Sequence, residues 1–269
     1  MAGHSHWKSI KHRKAAVDAK RGKMFSKLAK NITVAARTGG GDPADNLRLR
    51  YAIEAARAES MPRDSIERAV KKGTGELEGA ALEELIYEGI GPGGVSIMLD
   101  LLTDNRNRTS SEIRSLIEHH GGTLGKSGSV AWKFDRKGVV RFSRSLTPED
   151  ELLEAAIEAG AENVSSDGDE YVVTTQPADF DAVRSALQKF LESKKPKSDR
   201  RSRGDDDDQK PVLGNCSIER VPQNTVPIDA GKASALLELL EGLEEHEDVQ
   251  QVACDVEMPE EALEENQGG

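Results

Sequence analysis

Apolar residues recur every three to four positions from Asp18 to about residue 75, then give way to alternation and short unbroken runs. From Asp18 to about Arg37, Met24, Phe25, Leu28, Ile32 and Ala35 fall on one side at helical spacing. At 100° per residue they span an arc of about 100°. Lys20, Lys23, Lys27 and Lys30 fall on a neighbouring arc, so one helix carries an apolar stripe beside a lysine stripe. TGGG (38–41) stops it. Asp42 and Pro43 predict the next start, Asp as N-cap and Pro in the first turn, with Leu49, Ala52, Ile53 and Ala56 inward. MPRDSIERAVKKGTG predicts a third helix with Ile66, Ala69 and Val70 inward and Gly73 as C-cap. Three short helices make a small bundle.

After Glu76 the period shortens. GVSIMLDLL (94–102) predicts a strand and TDNRNR a polar loop. Thr109 and Glu112 form a T-x-x-E capping box opening a helix with Ile113, Leu116 and Ile117 on one face. GG (121–122) ends it, and GSVAWKF (128–134) predicts the next strand. The alternation repeats: GVVRF, the helix TPEDELLEAAIEAG, a short strand near Asn163–Val164, EYVVTT, and a helix over Ala178–Leu191. SKKPKSDRRSRGDDDDQKP (193–211) has no apolar residue and predicts a flexible linker. CSIERV (216–221), a helix over Ala235–Leu243 and VQQVACDV (249–256) follow. Strand–helix–strand units at 94–134 and 216–256 suggest one ferredoxin-like sheet interrupted by an inserted domain.

The expected fold is therefore α+β and multidomain. It has a basic arm and bundle (1–76) and a discontinuous α/β domain (77–135 plus 212–259). A second ferredoxin-like α/β domain is inserted (136–192), and the charged linker (193–211) and an acidic tail (260–269) complete the chain. No apolar run approaches the roughly 20 residues of a membrane span, and the N-terminus has no apolar secretory core. Two cysteines, Cys216 and Cys254, make neither a disulfide framework nor a zinc site. A cytoplasmic setting is expected.

Charge sharpens the picture. The chain is formally −11, yet residues 1–75 hold 17 Lys/Arg against 7 Asp/Glu, leaving 20 against 41 for the remainder. Such asymmetry predicts a polyanion-binding end on an acidic body. Clustered cations bind phosphate backbones through attraction and counterion release, and Trp7 and Phe25 can stack on bases. The bland alternative is a solvated face, but Gly3–Lys30 holds nine Lys/Arg and one acid, Asp18. Like charges at i,i+4 repel, which makes a poor design for solubility alone. A metal site at His4, His6 and His12 lacks further ligands nearby. GIGPGG (89–94) lacks the ending of a phosphate loop and precedes its strand, so it reads as a tight turn. TDNRNRT (103–109) opens a helix, a place that favours anions, with Arg106 and Arg108 as donors; equally, Asp104 and Asn105 can simply hold the turn. No nucleophile–base pair stands out. No enzyme activity, cofactor, metal or small-molecule substrate is expected.

Several stretches resemble the YebC family, which includes the mitochondrial translational activator of cytochrome oxidase subunit I. They are AGHSHWKSIKHRKAAVDAKRGKMFSKLAKNI, GGGDPADNLRLRYAIEAARAESMPRDSIERAVKKGTGE, YEGIGPGGV, LTDNRNRTSSEIR, GGTLGKSGSVAWKF and VPQNTV. The resemblance implies a helical bundle and two α/β domains, one inserted in the other. It also implies a regulator of gene expression, described in the family either as a DNA-binding transcriptional regulator or as a ribosome-associated translation factor that eases stalls and activates synthesis of particular proteins. The bundle shows no evident basic recognition helix of a helix-turn-helix, although its third helix carries Arg63, Arg68, Lys71 and Lys72. The expected partner is therefore the ribosome and its rRNA, with DNA as the alternative, no membrane, and a monomer. In this reading Lys8, Lys11, Arg13, Lys14, Lys20, Arg21, Lys23, Lys27 and Lys30 hold phosphates. His4, His6, Trp7 and His12 touch bases or sugars, and Arg106 and Arg108 touch RNA or a neighbouring domain.

Overall fold

A computed structural model describes residues 18–79, 81–194, 213–214 and 216–259, with side chains from Arg21 onward. The described chain forms two compact units, 18–134 with 222–259 and 135–221.

The first unit begins with the three predicted helices, α1 (Asp18–Gly39), α2 (Leu47–Ala58) and α3 (Arg63–Thr74). Ile32, Ala35, Leu49, Ile53, Met61, Ile66 and Ala69 are the buried centre, with Phe25 and Leu28 packed against it. Small residues let α1 and α3 close up. A Cβ on Gly73 would lie 2.4 Å from the Thr33 carbonyl oxygen and 2.6 Å from Ala36 Cβ. Gly73 is therefore a contact point inside α3 and not its cap; the helix ends at Gly75, which is left-handed at φ 82°. The N-cap of α2 also differs from expectation. Asp42 holds a turn by accepting from the Ala44 N–H, and Asn46 caps the helix through Leu49 N–H at 3.1 Å. The buried Asn46 amide also donates to the carbonyls of Ala35 and Gly40, which fixes the turn to α1.

The bundle is followed by a sheet of β1 (Glu83–Ile90), β2 (Ser96–Thr103), β3 (Thr123–Leu124) and β9 (Val249–Cys254), ordered β3-β1-β2-β9 and antiparallel throughout. Helices α4 (Arg106–His119) and α7 (Ala230–Glu245) belong to it. Successive side chains of a strand face opposite ways, and both rows of β2 are buried except Asp100. This explains its unbroken apolar run. GIGPGG makes the β1–β2 turn, with Gly93 and Gly94 at positive φ. A short parallel pair, β8 (Val226–Pro227) with β10 (Val256–Glu257), completes this unit.

The second unit contains β4 (Phe134–Ser143), α5 (Glu149–Glu158), β5 (Asn163–Asp167), β6 (Glu170–Thr175), α6 (Phe180–Lys194) and β7 (Cys216–Pro222). Its sheet order, β5-β6-β4-β7, with the sequence βαββαβ, is the ferredoxin-like arrangement. Arg141 of β4 and Glu219 of β7, both buried, form a bidentate pair at 2.7 and 3.0 Å. Burial alone would disfavour the charged guanidinium, but Glu219 outweighs it and holds the Arg141 pKa above its ordinary value.

Three sequence expectations are corrected. The strand at 216–221 belongs to this second sheet and not with 94–134, because it supplies the fourth strand beside β4. Strand β1 lies where no strand is expected; its alternation is masked by glutamates at 83, 84 and 88. GSVAWKF is a loop ending in a 3-10 turn at Ala131–Lys133, and its strand starts only at Phe134. The reason is Glu88, whose carboxylate takes the N–H groups of Gly128, Val130 and Ala131. Those donors are then lost to any ladder.

Candidate nucleic-acid interface

The arm residues His4, His6, Trp7, Lys8, Lys11, His12, Arg13 and Lys14 lie outside the described residues, as does the Lys20 side chain. Arg21 and Lys23, one turn into α1, are exposed.

Farther along α1 the lysines turn inward to the protein. Lys27 donates to the Glu244 carbonyl at the end of α7. Lys30 Nζ lies 2.5 Å from Asp248 Oδ1 and 3.2 Å from the Glu247 carbonyl. Asn31 donates to Gln250 of β9 at 2.8 Å. One turn of α1 is thus moored to the α7–β9 corner. Arg37 and Arg48 add ties to the Leu82 carbonyl and to Glu84.

Asp248 is the centre of this mooring. Its side chain is fully buried. Oδ1 takes Lys30, and Oδ2 takes Arg108 Nη2 at 3.0 Å and the Thr109 hydroxyl at 2.7 Å. Burial opposes its charge, but the bonds from Lys30, Thr109 and Arg108 more than offset that, and the carboxyl is held well below the usual carboxylate range. Arg108 also pairs with Asp104 at 3.2 Å; the bond to Asp248 raises its own pKa.

At TDNRNRT the turn bonds are present and Arg108 is moored to Asp248. Asn105 caps α4 by accepting from Arg108 N–H at 3.1 Å, so α4 opens at Arg106 and not at the Thr109–Glu112 box. Thr109 instead serves Asp248. Arg106 is exposed and stands outside the Asp248 cluster. Among the predicted phosphate ligands, Lys27, Lys30 and Arg108 make hydrogen bonds within the protein, whereas Arg21, Lys23 and Arg106 are exposed. Phe25 is partly buried and packs on the bundle core.

A second basic surface lies on the bundle. Arg57, Arg63, Arg68, Lys71 and Lys72 are all exposed, and Arg63 pairs with Glu67 at 2.8 Å. Among the described residues there is no cluster of three His, Cys, Asp or Glu side chains able to hold a metal. No described helix is long and apolar enough to cross a membrane.

A "Probable transcriptional regulatory protein" of Desulfatibacillum aliphaticivorans is 48% identical over 264 residues, covering 98% of this chain and 99% of that one. A protein of the same description from Syntrophus aciditrophicus is 47% identical over 269 residues, covering 98% of each. The crystal structure of a conserved hypothetical protein from Aquifex aeolicus superposes with a TM-score of 0.80 at 45% identity, covering 93% of this chain and 96% of that one. Residues 5–76 match the TACO1/YebC protein N-terminal domain, and residues 82–202 match the TACO1/YebC second and third domain. With a bundle, an interrupted sheet and a ferredoxin-like unit matched over nearly its whole length, the chain belongs to the TACO1/YebC family.

Proposed function

We propose that the protein is a nucleic-acid-binding regulator of gene expression that acts as a ribosome- or RNA-associated translation factor, gripping phosphates with the basic end of its N-terminal domain. The observation that carries this reading is charge placement. Residues 1–75 carry an excess of ten positive charges on a chain of net −11, and Arg21 and Lys23 lie exposed where α1 continues the basic arm. The mooring of Lys27 and Lys30 moves the proposed grip toward the start of α1. The phosphate ligands in this reading are Lys8, Lys11, Arg13, Lys14, Lys20, Arg21 and Lys23, with Arg106 as an outlying contact. Beyond residue 75 the chain holds 41 Asp/Glu against 20 Lys/Arg, which limits indiscriminate binding to polyanions.

The names of the relatives support the alternative, a DNA-binding transcriptional regulator, and the exposed cations of α3 are its structural basis. Ribosome co-sedimentation across a salt series, with duplex DNA as competitor, separates the two. The translation reading expects co-sedimentation that weakens with salt and is poorly competed by duplex. Tight binding to discrete duplex sites without ribosome association overturns it.

A further inference from the structure

The loop after β3 presents an aromatic ring in a way the core does not require. Trp132 is 68% exposed and is the single exposed Trp, Tyr or Phe among the described residues. An exposed, unmoored indole would be a liability, yet this one is held from three sides. Its Nε1–H donates to the Ser129 carbonyl at 3.2 Å. The loop beneath it is fixed by the buried Glu88, which accepts from Gly128 at 2.6 Å, Val130 at 2.7 Å and Ala131 at 2.9 Å. Burial would raise the Glu88 pKa, but these bonds lower it on balance, so the carboxylate stays charged in its cradle. Lys133 lies over the indole, with Nζ 5.8 Å from the ring centroid. It is itself fixed by Asp255 at 3.0 Å and Ser96 at 2.7 Å.

The surroundings indicate the occupant. Residues 121–134 contain Lys126 and Lys133 and no acid, although the chain beyond residue 75 carries twice as many acids as bases. Lys126 is exposed, and Ser127 and Ser129 add hydroxyls. A rigid indole beside lysines in a Gly/Ser loop has the chemistry of a base-stacking platform with phosphate and sugar contacts. Ile86 and Ile90, in the same row of β1 as Glu88, are also exposed; the lysines and hydroxyls favour a nucleic acid over a protein partner here.

We propose that Trp132 is a stacking site for an unpaired base of single-stranded RNA, with Lys126 binding an adjacent phosphate and Glu88 acting as the positioning residue of the loop. This rests on the RNA reading of the protein and gives it a second contact outside the basic arm. Each stacked base contributes roughly 1–3 kcal/mol, so Trp132→Ala should weaken binding to a single-stranded RNA oligonucleotide about 5- to 150-fold. Trp132→Phe should recover most of that loss. Far-UV dichroism checks that both variants remain folded.

The chain has two tryptophans, so a Trp7→Phe chain leaves Trp132 as the sole indole reporter. At RNA saturation, fixed by filter binding of the same chain, its emission should be quenched, and duplex RNA should quench it less. Normal RNA affinity in Trp132→Ala, or unquenched emission at saturation, overturns the stacking site and leaves the RNA reading standing. No RNA binding by the unmutated chain overturns that reading and the site with it. Unchanged RNA affinity with lost ribosome association would make the ring a protein contact and refute the proposal.

Discussion

Removing the Asp248 carboxylate should loosen the bundle from the sheet beside it. Asp248→Ala leaves Lys30, whose side chain is 16% exposed, and Arg108, 37% exposed, without their shared anion. It also removes one of the three partners of the Thr109 hydroxyl, leaving Thr103 and the Asn105 carbonyl. Breaking a buried ion pair by deleting one partner costs about 3–5 kcal/mol. Water can reach Arg108, so the lower end, about 3 kcal/mol, is expected. With a urea m-value of ~2–3 kcal/mol/M for a unit of this size, the midpoint should fall by about 1–1.5 M. Asp248→Asn keeps the shape and one acceptor and should lose less, about 1.5–3 kcal/mol, the range for a hydrogen bond to a charged group. Acid gives a second reading. Unfolded, the carboxyl titrates near an ordinary aspartate value of about 3.9; folded, it is held lower. The unfolded chain therefore takes up the proton first. The contribution is complete above about pH 5 and shrinks below about pH 4, by at most ~1.4 kcal/mol per pH unit. The assay is urea unfolding of wild type and Asp248→Asn, followed by far-UV dichroism from pH 7 to 3. Their stability difference should narrow across the acid end. A difference under about 0.5 kcal/mol at pH 7, or one constant to pH 3, would refute the mooring.

Three further outcomes follow from the same geometry. Arg21→Gln with Lys23→Gln should leave the melting temperature nearly unchanged, lower single-stranded RNA affinity and flatten the log–log salt slope by about 1.4, at ~0.7 for each phosphate no longer neutralised; filter binding across a salt series reads it. Glu88→Ala should free the N–H groups of Gly128, Val130 and Ala131. Their hydrogen exchange should accelerate, with a stability loss of about 1–3 kcal/mol for the unpaired buried donors. Gly73→Ala should push its Cβ onto the Thr33 carbonyl and cost about 1–3 kcal/mol as overpacking, although alanine is the better helix former. A raised melting temperature would show that α1 and α3 have room to part.

Where burial is one-sided, the sequence pattern carries the fold. The helical stripes of α1 and α3 fall close to their predicted places, because apolar period and buried face coincide there; β2 and β6, buried on both rows, are legible instead as short apolar runs. The misreadings share a different cause: a polar group used at long range. Glu88 makes β1 look too charged for a strand and also converts GSVAWKF into a loop, by drawing in N–H groups 40 to 43 residues away. Asn46 caps α2 in place of Asp42, four residues upstream, because its amide also satisfies the Ala35 carbonyl of α1 and that of Gly40 just beyond it. Local capping rules rank residue types, and tertiary partners decide between candidates of similar rank. Strand β7 is a similar case: CSIERV alternates acceptably for either sheet, and only pairing beside β4 decides it.

The same distinction bears on how the basic face should be tested. Spacing places Lys20, Lys23, Lys27 and Lys30 on one arc of α1. Spacing does not say that the C-terminal half of that arc meets Glu244 and Asp248, more than 200 residues away. Replacing all four lysines with glutamine would weaken RNA binding for two unrelated reasons, fewer phosphates held and a loosened bundle. A flatter salt slope would mark the first, and a lower urea midpoint the second. Arg21 and Lys23 are exposed and outside the mooring, so their substitution isolates the electrostatic contribution. Lys30→Gln provides the opposite control. If it lowers stability while the salt slope stays unchanged, Lys30 serves the fold; if stability holds and the slope falls, the lysine leaves Asp248 to bind phosphate, and the division of α1 into a gripping half and a moored half is wrong.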